Sequence, residues 1–402
     1  MASIQNVSHT PLPTATLSWQ QKLQQRVLFL LKQEPNSAHL SEAVLRTTVT
    51  TLIDQALKEI APPISTPHIY EKQKQRLLDE LLGLGPLEAL LKDESITEIM
   101  VNHYEEVYVE RAGVLALHPL TFSSEHTLRN IVERIVAPLG RRIDEACPIV
   151  DARLPDGSRV HAIIPPLSLR GTALTIRKFP KKPIDVHAMI ASSTLNQSLL
   201  EYLNTAISEH KNIIISGGTS TGKTTLLNLL AQFIPDKTRV ITIEEADELQ
   251  LQHAHLIRLE ARPPNTEGKG EITVRELLRN ALRMRPDRII IGECRGGEAL
   301  DILQAMNTGH AGSLTTLHAN SPLDALTRLE TMSMMANIPL PLAAIRAQIA
   351  SAIDIVIHMQ RCQNGQRIVS AVHQLCDLKE GTFLTQPLFQ STNRTAQTRH
   401  VH

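Results

Sequence analysis

The stretch from Asn212 to Thr224 reads Asn-Ile-Ile-Ile-Ser-Gly-Gly-Thr-Ser-Thr-Gly-Lys-Thr, an apolar run followed by a glycine-rich loop. The loop matches the P-loop pattern G-x-x-x-x-G-K-[ST] at every fixed position. Its glycines let backbone N–H groups converge on phosphate oxygens, and the start of the following helix adds a partial positive charge. That helix is predicted from Thr225 to Ile234. The stretch therefore predicts a nucleotide-binding domain.

The residue types of the loop also predict how a nucleotide is held. Lys223 is expected to reach the β- and γ-phosphates, and the Thr224 hydroxyl is expected to ligate Mg²⁺. The predicted nucleotide-binding residues of this segment are Gly217, Gly218, Thr219, Ser220, Thr221, Gly222, Lys223, Thr224 and Thr225.

Four further apolar runs follow the loop in the sequence, at residues 240–243, 289–291, 313–317 and 353–357. Uninterrupted β-branched strands of this kind are typical of a parallel sheet that is covered on both faces. Helical segments separate the runs, and a further helix is predicted over residues 193–209. The alternation predicts an α/β domain with a mainly parallel sheet.

Two of these runs end in carboxylates. Glu293 follows the run 289–291, and the carboxyl end of such a strand lies beside the phosphates, where an acid can orient a water on Mg²⁺. Glu293 is therefore a predicted catalytic residue and metal ligand, together with Thr224 for the metal. Glu244 and Glu245 end the neighbouring run in the same way. A solvated acid at a strand end is the alternative for each of the three.

Two histidines flank the run 313–317. His318 lies just beyond its end, where it can bind phosphate or a catalytic acid, and His310 precedes it. A structural histidine in the core or in a loop is the alternative for both.

The rest of the chain divides by its patterning. Residues 19–60 carry apolar side chains at helical spacing, and prolines at 62, 63 and 67 end that region. Short strands and turns follow up to residue 179, and residues 178–183 have the prolines and lysines of a linker. The predicted parts are an N-terminal helical appendage (1–66), a smaller α/β domain (67–180), the P-loop domain (181–389) and a polar tail (390–402).

Composition limits the classes of partner. The 402 residues carry 41 Lys+Arg against 41 Asp+Glu, and aromatic residues make up only 3%. A neutral chain with few aromatic rings is not typical of a nucleic-acid binder held by bulk charge and base stacking. No apolar run approaches the length of a membrane-spanning helix, and the N-terminus lacks the order of a signal peptide. The expected location is cytoplasmic, with any membrane role through partners.

Four ordered motifs then carry a resemblance. They are the P-loop, Thr242-Ile-Glu-Glu245, Arg283-Met-Arg-Pro-Asp-Arg-Ile-Ile-Ile-Gly-Glu-Cys-Arg-Gly296 and the segment from Gly309-His310 to Thr316-Leu-His-Ala-Asn-Ser321. Together they resemble the secretion-type traffic ATPases of type II and type IV systems. Residues 151–160, 174–179, 262–265 and 268–272 are similar to the CpaF, tight-adherence pilus branch. The match runs from about residue 83 to about residue 357.

The resemblance implies a RecA-like ATPase domain, a smaller α/β domain before it, and a homohexameric ring. It implies Mg²⁺-dependent ATP hydrolysis that powers a pilus or a secretion machine. The protein would be peripherally associated with the inner membrane through a polytopic platform protein. No nucleic acid is expected as a partner.

The family's functional residues transfer by position. Lys223 and Thr224 fall on its phosphate and Mg²⁺ residues, Glu293 on the Walker B acid, and Glu244 on the Asp-box glutamate. His310 and His318 fall in its His box. The N-terminal-domain arginines that reach the nucleotide phosphates match Arg153, Arg159 and Arg177.

Two positions depart from the family's pattern. The Asp box usually reads Glu-Asp, whereas Glu245 is one methylene longer at the second acid. The His box often has an acid after its first histidine, where this chain has Ala311. Both departures bear on the rate of hydrolysis and on the role of Glu245.

Two alternatives remain beside the secretion motor. The first is a RecA-like nucleic-acid motor, such as a packaging or conjugation ATPase, which stimulation of hydrolysis by nucleic acid would reveal. The second is a non-hydrolysing scaffold that binds ATP and assembles a platform, which a phosphate-release assay would distinguish.

Overall fold

A computed structural model describes residues 14–33, 42–60, 67–111, 113–179, 186–265 and 268–391. The polar tail from residue 392 and the linker residues 180–183 lie outside these ranges. The chain divides into two compact units, Met1–Phe179 and Pro180–His402, and each is described by itself.

The first unit begins with three helices that share one apolar core. They are α1 (Thr14–Gln33), α2 (Glu42–Glu59) and α3 (Pro67–Leu82). Apolar residues three and four positions apart fall on one side of a helix, so Leu23 and Val27 of α1 meet Val49 and Ile53 of α2. Leu77 of α3 joins the same cluster. The helical spacing predicted for residues 19–60 is therefore confirmed by α1 and α2.

An antiparallel sheet forms the rest of this unit, with the strand order β3-β2-β1-β6-β5-β4. Its strands are β1 (Ile96–His103), β2 (Glu106–Arg111), β3 (Val114–His118), β4 (Ile149–Arg153), β5 (Arg159–Ile163) and β6 (Ala173–Arg177). Helices α4 (Leu87–Lys92) and α5 (Glu125–Val136) accompany it. Leu128, Ile131 and Val132 of α5 pack with alternate strand residues into a second core.

The second unit is built on an eight-stranded sheet with the order β14-β13-β12-β7-β11-β10-β8-β9. The strands are β7 (Ile213–Gly217), β8 (Val240–Glu244), β9 (Leu256–Glu260), β10 (Arg288–Ile291), β11 (Leu314–Leu317), β12 (Ile355–Arg361), β13 (Arg367–Lys379) and β14 (Thr382–Gln390). Strands β7 to β12 pair in parallel, whereas β13 and β14 pair antiparallel at one edge. The prediction of a mainly parallel sheet is confirmed.

Helices cover both faces of this sheet, as the uninterrupted apolar strands require. They are α6 (Val186–Ala191), α7 (Gln197–Ser208), α8 (Lys223–Ala231), α9 (Val274–Ala281), α10 (Glu298–Asn307), α11 (Pro322–Met334) and α12 (Leu342–Ala352). One core cluster joins α7 and α8 to the sheet, and the other joins α9 to α12. Because the strands run in parallel, the carboxyl ends of β7, β8, β10 and β11 meet along one edge.

Some elements differ from the sequence prediction. The helix predicted from residue 193 begins at Gln197, because Ser193 takes a positive φ of 54° and Asn196 caps α7 by accepting a hydrogen bond from the Leu199 N–H. Strands β9, β13 and β14 were not predicted, since partly exposed strands alternate apolar and polar residues less regularly. Among the helices in the described ranges, none is both long enough and apolar enough to span a bilayer.

Candidate nucleotide-binding site

The loop between β7 and α8 has, at two points, a backbone conformation that favours glycine. Gly217 and Gly222 have φ values of 154° and 96°. A Cβ atom on Gly217 would lie 2.5 Å from the Met359 carbonyl oxygen and 2.8 Å from the Thr221 hydroxyl. The sequence pattern of glycines therefore corresponds to a real geometric requirement of this loop.

Lys223 is folded into the loop that precedes it. Its side chain is buried, and Nζ donates hydrogen bonds to the carbonyl oxygens of Gly217 at 3.1 Å and Gly218 at 2.9 Å. The ammonium group thus lies within the P-loop, beside the N-terminus of α8, where phosphate oxygens are bound in loops of this pattern.

Glu293 lies two residues beyond β10, at the carboxyl edge of the sheet. His318 Nε2 is 2.7 Å from its Oε1, and Arg295 Nη2 is 2.7 Å from its Oε2. The Oε1 atom is buried. His318 Nε2 is close to it, but within the described part of the chain no group has the angles of a hydrogen bond to this oxygen. Burial lowers the pKa of His318, and the nearby Lys223 lowers it further, against the opposing effect of Glu293.

Glu244 is the last residue of β8, on the next strand of the sheet, and its side chain is only 4% exposed. Its Oε1 accepts hydrogen bonds from the backbone N–H groups of Glu248 at 3.0 Å and Leu249 at 3.1 Å. Burial raises the pKa of Glu244 from 4.5 to about 7, despite these two hydrogen bonds. A carboxyl group with a pKa near neutrality is suited to general base catalysis.

Arg295 was not assigned a role from the sequence, and it connects the acids. Its Nη1 lies 2.6 Å from Glu245 Oε2, while its Nη2 contacts Glu293. The structure therefore brings Glu293, Glu245 and His318 into one cluster. The available signal was position, because an arginine two residues after a strand-end acid lies at the same edge of the sheet.

His358 was also missed, because one histidine inside an apolar strand gives no functional signal. It lies on β12 beside the P-loop strand, and its Nδ1 is 2.9 Å from the Ser216 hydroxyl. Burial lowers the pKa of His358 to about 4, so that it is neutral at physiological pH. Its contacts indicate a structural role beneath the loop.

His310 is not brought to this group. It precedes β11, and its Nδ1 lies 2.9 Å from the carbonyl oxygen of Pro286, which precedes β10. In a parallel sheet both positions are at the amino edge, opposite the edge that carries Glu293. Within one chain His310 therefore lies apart from Glu293 and His318, because the strand β11 runs between the two histidines. Its predicted catalytic role stays a prediction.

The three predicted arginines lie in the first unit and form a row. Arg153 pairs with Arg159 across β4 and β5, and Arg159 pairs with Arg177 across β5 and β6. Directly opposite residues of antiparallel strands project to the same face, so the three guanidinium groups share one face. Like charges opposite one another repel, and an anion bound to the row would remove that repulsion.

The oxygen ligands that the second unit offers are suited to a nucleotide bound with Mg²⁺. Mg²⁺ prefers oxygen ligands and usually combines one or two protein groups with phosphate oxygens and waters. The Thr224 hydroxyl at the start of α8 and the Glu293 carboxylate supply oxygens of this kind. The described residues contain no group of three or more His, Cys, Asp or Glu side chains that could hold a metal ion.

A P-loop between a parallel strand and a helix, with acids at the ends of neighbouring strands, defines the class as a P-loop ATPase of RecA-like fold. The family model described as "Type II/IV secretion system protein" matches residues 80–399. The chain therefore belongs to the family of type II/IV secretion system proteins, and the predicted family and ATPase class are confirmed.

Relatives and solved structures agree with this family. A Mycobacterium tuberculosis protein whose name assigns it to conjugal transfer is 36% identical over 302 residues, which are 74% of this chain and 85% of that protein. The type IV secretion system protein PtlH of Bordetella pertussis is 36% identical over 312 residues, 69% of this chain and 89% of its own length. The X-ray structure of the ATPase DotB of Legionella pneumophila, 22% identical, has the same fold, with a TM-score of 0.51 over 76% of this chain and 80% of that one.

Proposed function

We propose that this protein hydrolyses ATP with Mg²⁺ and so powers a pilus or secretion machine of the tight-adherence type. The observation that carries the proposal is the placement of Lys223 inside the P-loop with Glu293 and Glu244 at the same edge of the sheet. An acid at that edge beside an intact P-loop lysine favours hydrolysis over a scaffold that only binds nucleotide.

The residues divide the chemistry among them. The P-loop amides and Lys223 bind the phosphates, while Thr224 and Glu293 would hold Mg²⁺, whose charge neutralises the phosphate oxygens when it is bound. Glu293 orients the attacking water, and Glu244 accepts a proton from that water as the oxygen attacks the terminal phosphorus. ADP and inorganic phosphate are then the products. Arg295 holds Glu293 and Glu245 in position, and His318 lies beside Glu293.

The remaining parts give the motor its form. We propose a homohexameric ring in which Arg153, Arg159 and Arg177 supply arginine contacts to the nucleotide phosphates, because a planar guanidinium group meets phosphate oxygens in pairs. The ring acts on the cytoplasmic side of the inner membrane, against a polytopic platform protein.

The test is a phosphate-release assay on the purified chain. Glu293→Gln should retain ATP binding and lose turnover by at least about a hundredfold, because the P-loop and Lys223 still bind the phosphates while the carboxylate that orients the water is lost. Lys223→Ala should lose ATP binding itself. Native mass spectrometry with ATP should show a hexamer. Turnover of Glu293→Gln close to that of the unchanged protein would remove Glu293 from the mechanism.

A second candidate is favoured by the names of the relatives. The Mycobacterium tuberculosis relative is named for conjugal transfer, and conjugation moves DNA. A motor of that kind should hydrolyse ATP faster when single-stranded DNA is added. The neutral charge and the aromatic content of 3% favour the protein-secretion function, in which DNA leaves the rate unchanged.

A further inference from the structure

An arginine without a place in the mechanism above lies beside the P-loop, on the side away from the catalytic acids. In the sheet order, β11 and β10 lie on one side of the P-loop strand β7, and β12 and β13 lie on the other. Arg367 is the first residue of β13 and stands opposite Arg361 of β12.

Two side chains from these strands touch the loop. A Cβ atom built on Gly222, the residue before Lys223, would lie 3.4 Å from Arg367 Cδ and 3.4 Å from Met359 Cε. The stem of Arg367 and the end of Met359 therefore lie against the backbone at the start of α8. Nothing in the catalytic chemistry described above requires an arginine at this place.

Both side chains lie on the sheet face that α8 covers. Met359 belongs to the core cluster that includes Leu226 and Leu230 of α8. Val369 belongs to the same cluster, and Arg367 is two residues before it on β13, so the alternation of a strand directs Arg367 to that face as well. Arg367 is exposed, and within the described residues its guanidinium group has neither an ion pair nor a hydrogen bond.

The direction of a bound nucleotide follows from the catalytic edge. In the proposed function its terminal phosphate lies next to Glu293, beyond β10, and next to Glu244, at the end of β8. The phosphate chain crosses Lys223, so the nucleoside at its other end extends towards β12 and β13. That direction leads to the exposed Arg367.

We propose that Arg367 binds the purine base of the nucleotide, with its guanidinium plane stacked on the ring. The inference rests on the proposed function, because it assigns the nucleoside end of that same site. A guanidinium group is planar, delocalised and weakly hydrated, which allows it to lie on an aromatic ring, whereas a lysine ammonium lacks a plane. Arg367 is then a substrate-binding residue that favours purine nucleotides.

The experiment compares two probes by calorimetry in the presence of Mg²⁺: ATP, and inorganic tripolyphosphate, which lacks a nucleoside. Arg367→Ala should bind ATP about tenfold more weakly and tripolyphosphate as tightly as the unchanged chain. Arg367→Lys, which keeps the charge and suits an exposed position, should show most of the same loss. Gln363→Ala, an exposed change in the same β12–β13 turn, is the matched control and should bind both probes normally.

The outcomes separate the inference from the function on which it rests. ATP affinity that is unchanged in Arg367→Ala overturns the inference and leaves the proposed ATPase intact. An equal loss for both probes overturns it too, because Arg367 is then a phosphate ligand, and full ATP affinity in Arg367→Lys would show that charge alone matters. If the unchanged chain binds neither probe, the proposed function itself fails.

Discussion

The ionisation of Glu244 connects the fold of the sheet to catalysis, and it predicts an effect on stability. Burial raises the pKa of this carboxyl group from 4.5 to about 7 in the folded chain. Because the unfolded chain releases the proton more easily, the folded state loses stability as the pH rises from about 4.5 to about 7. Glu244→Gln removes the ionisation and keeps an oxygen that accepts the Glu248 and Leu249 N–H groups.

The size of the effect follows from the difference between the two pKa values. At pH 8 the ionised carboxylate costs about 3 kcal/mol of folding free energy, and at pH 5 about 1 kcal/mol. Glu244→Gln should therefore be more stable than the unchanged protein by about these amounts. Its ATP turnover should fall by at least about a hundredfold, since an amide cannot accept the proton from water.

The assay is unfolding by guanidinium chloride, followed by circular dichroism at pH 8 and pH 5 without nucleotide. Because the chain has two units, it can unfold in more than one step. A separate unfolding curve with added ATP identifies the transition of the second unit, since ATP shifts that transition. Glu201→Gln, an exposed change on α7, is the control and should alter stability by less than about 0.5 kcal/mol at both pH values. A stability gain for Glu244→Gln that is the same at pH 5 and pH 8 would refute the reasoning.

Three further predictions concern the surroundings of the site. Arg295→Gln should lower turnover about tenfold in a phosphate-release assay, with partial recovery in Arg295→Lys, because the two carboxylates that Arg295 bridges lose their common partner. Arg288→Ala should lower the free energy of unfolding by about 3 kcal/mol, because Arg288 is fully buried and its removal leaves a cavity. Arg288→Met should lower it less. Methionine fills the space, and it does not bring the buried N–H groups of Arg288 that have no hydrogen-bond partner among the described residues. Gly217→Ala should abolish ATP binding, because the new Cβ atom would lie 2.5 Å from a carbonyl oxygen. Gly218→Ala is the control and should retain binding, because its Cβ atom would meet only a side-chain carbon at 3.7 Å.

Each of the three has an outcome that contradicts it. Normal turnover in Arg295→Gln over the range from pH 6 to pH 9 would show that the bridge does not position the acids. Equal losses of stability in Arg288→Ala and Arg288→Met would show that the volume of the side chain is irrelevant. Equal ATP affinities in Gly217→Ala and Gly218→Ala would exclude the steric account of the loop.

Residues whose position depends on local sequence were predictable. The P-loop glycines, Lys223 and the strand-end acids Glu293 and Glu244 are specified by short patterns, since a strand places its next residues at a known edge. His310 shows the limit of that reasoning. It lies only eight positions before His318, yet the strand between them places the two histidines at opposite edges of the sheet.

The sequence by itself determined the class of domain, the mainly parallel character of the sheet and the phosphate-binding loop, because apolar strand runs, helical spacing and the glycine pattern can each be read within one segment. Only the tertiary structure decided which charges meet. Arg295 is 50 residues from Glu245, and Arg367 is 145 residues from Gly222, so the order of strands in the sheet had to be known before either contact was visible. The physical reason is that burial and charge pairing arise from packing between distant segments, whereas strand and loop patterns arise within one segment.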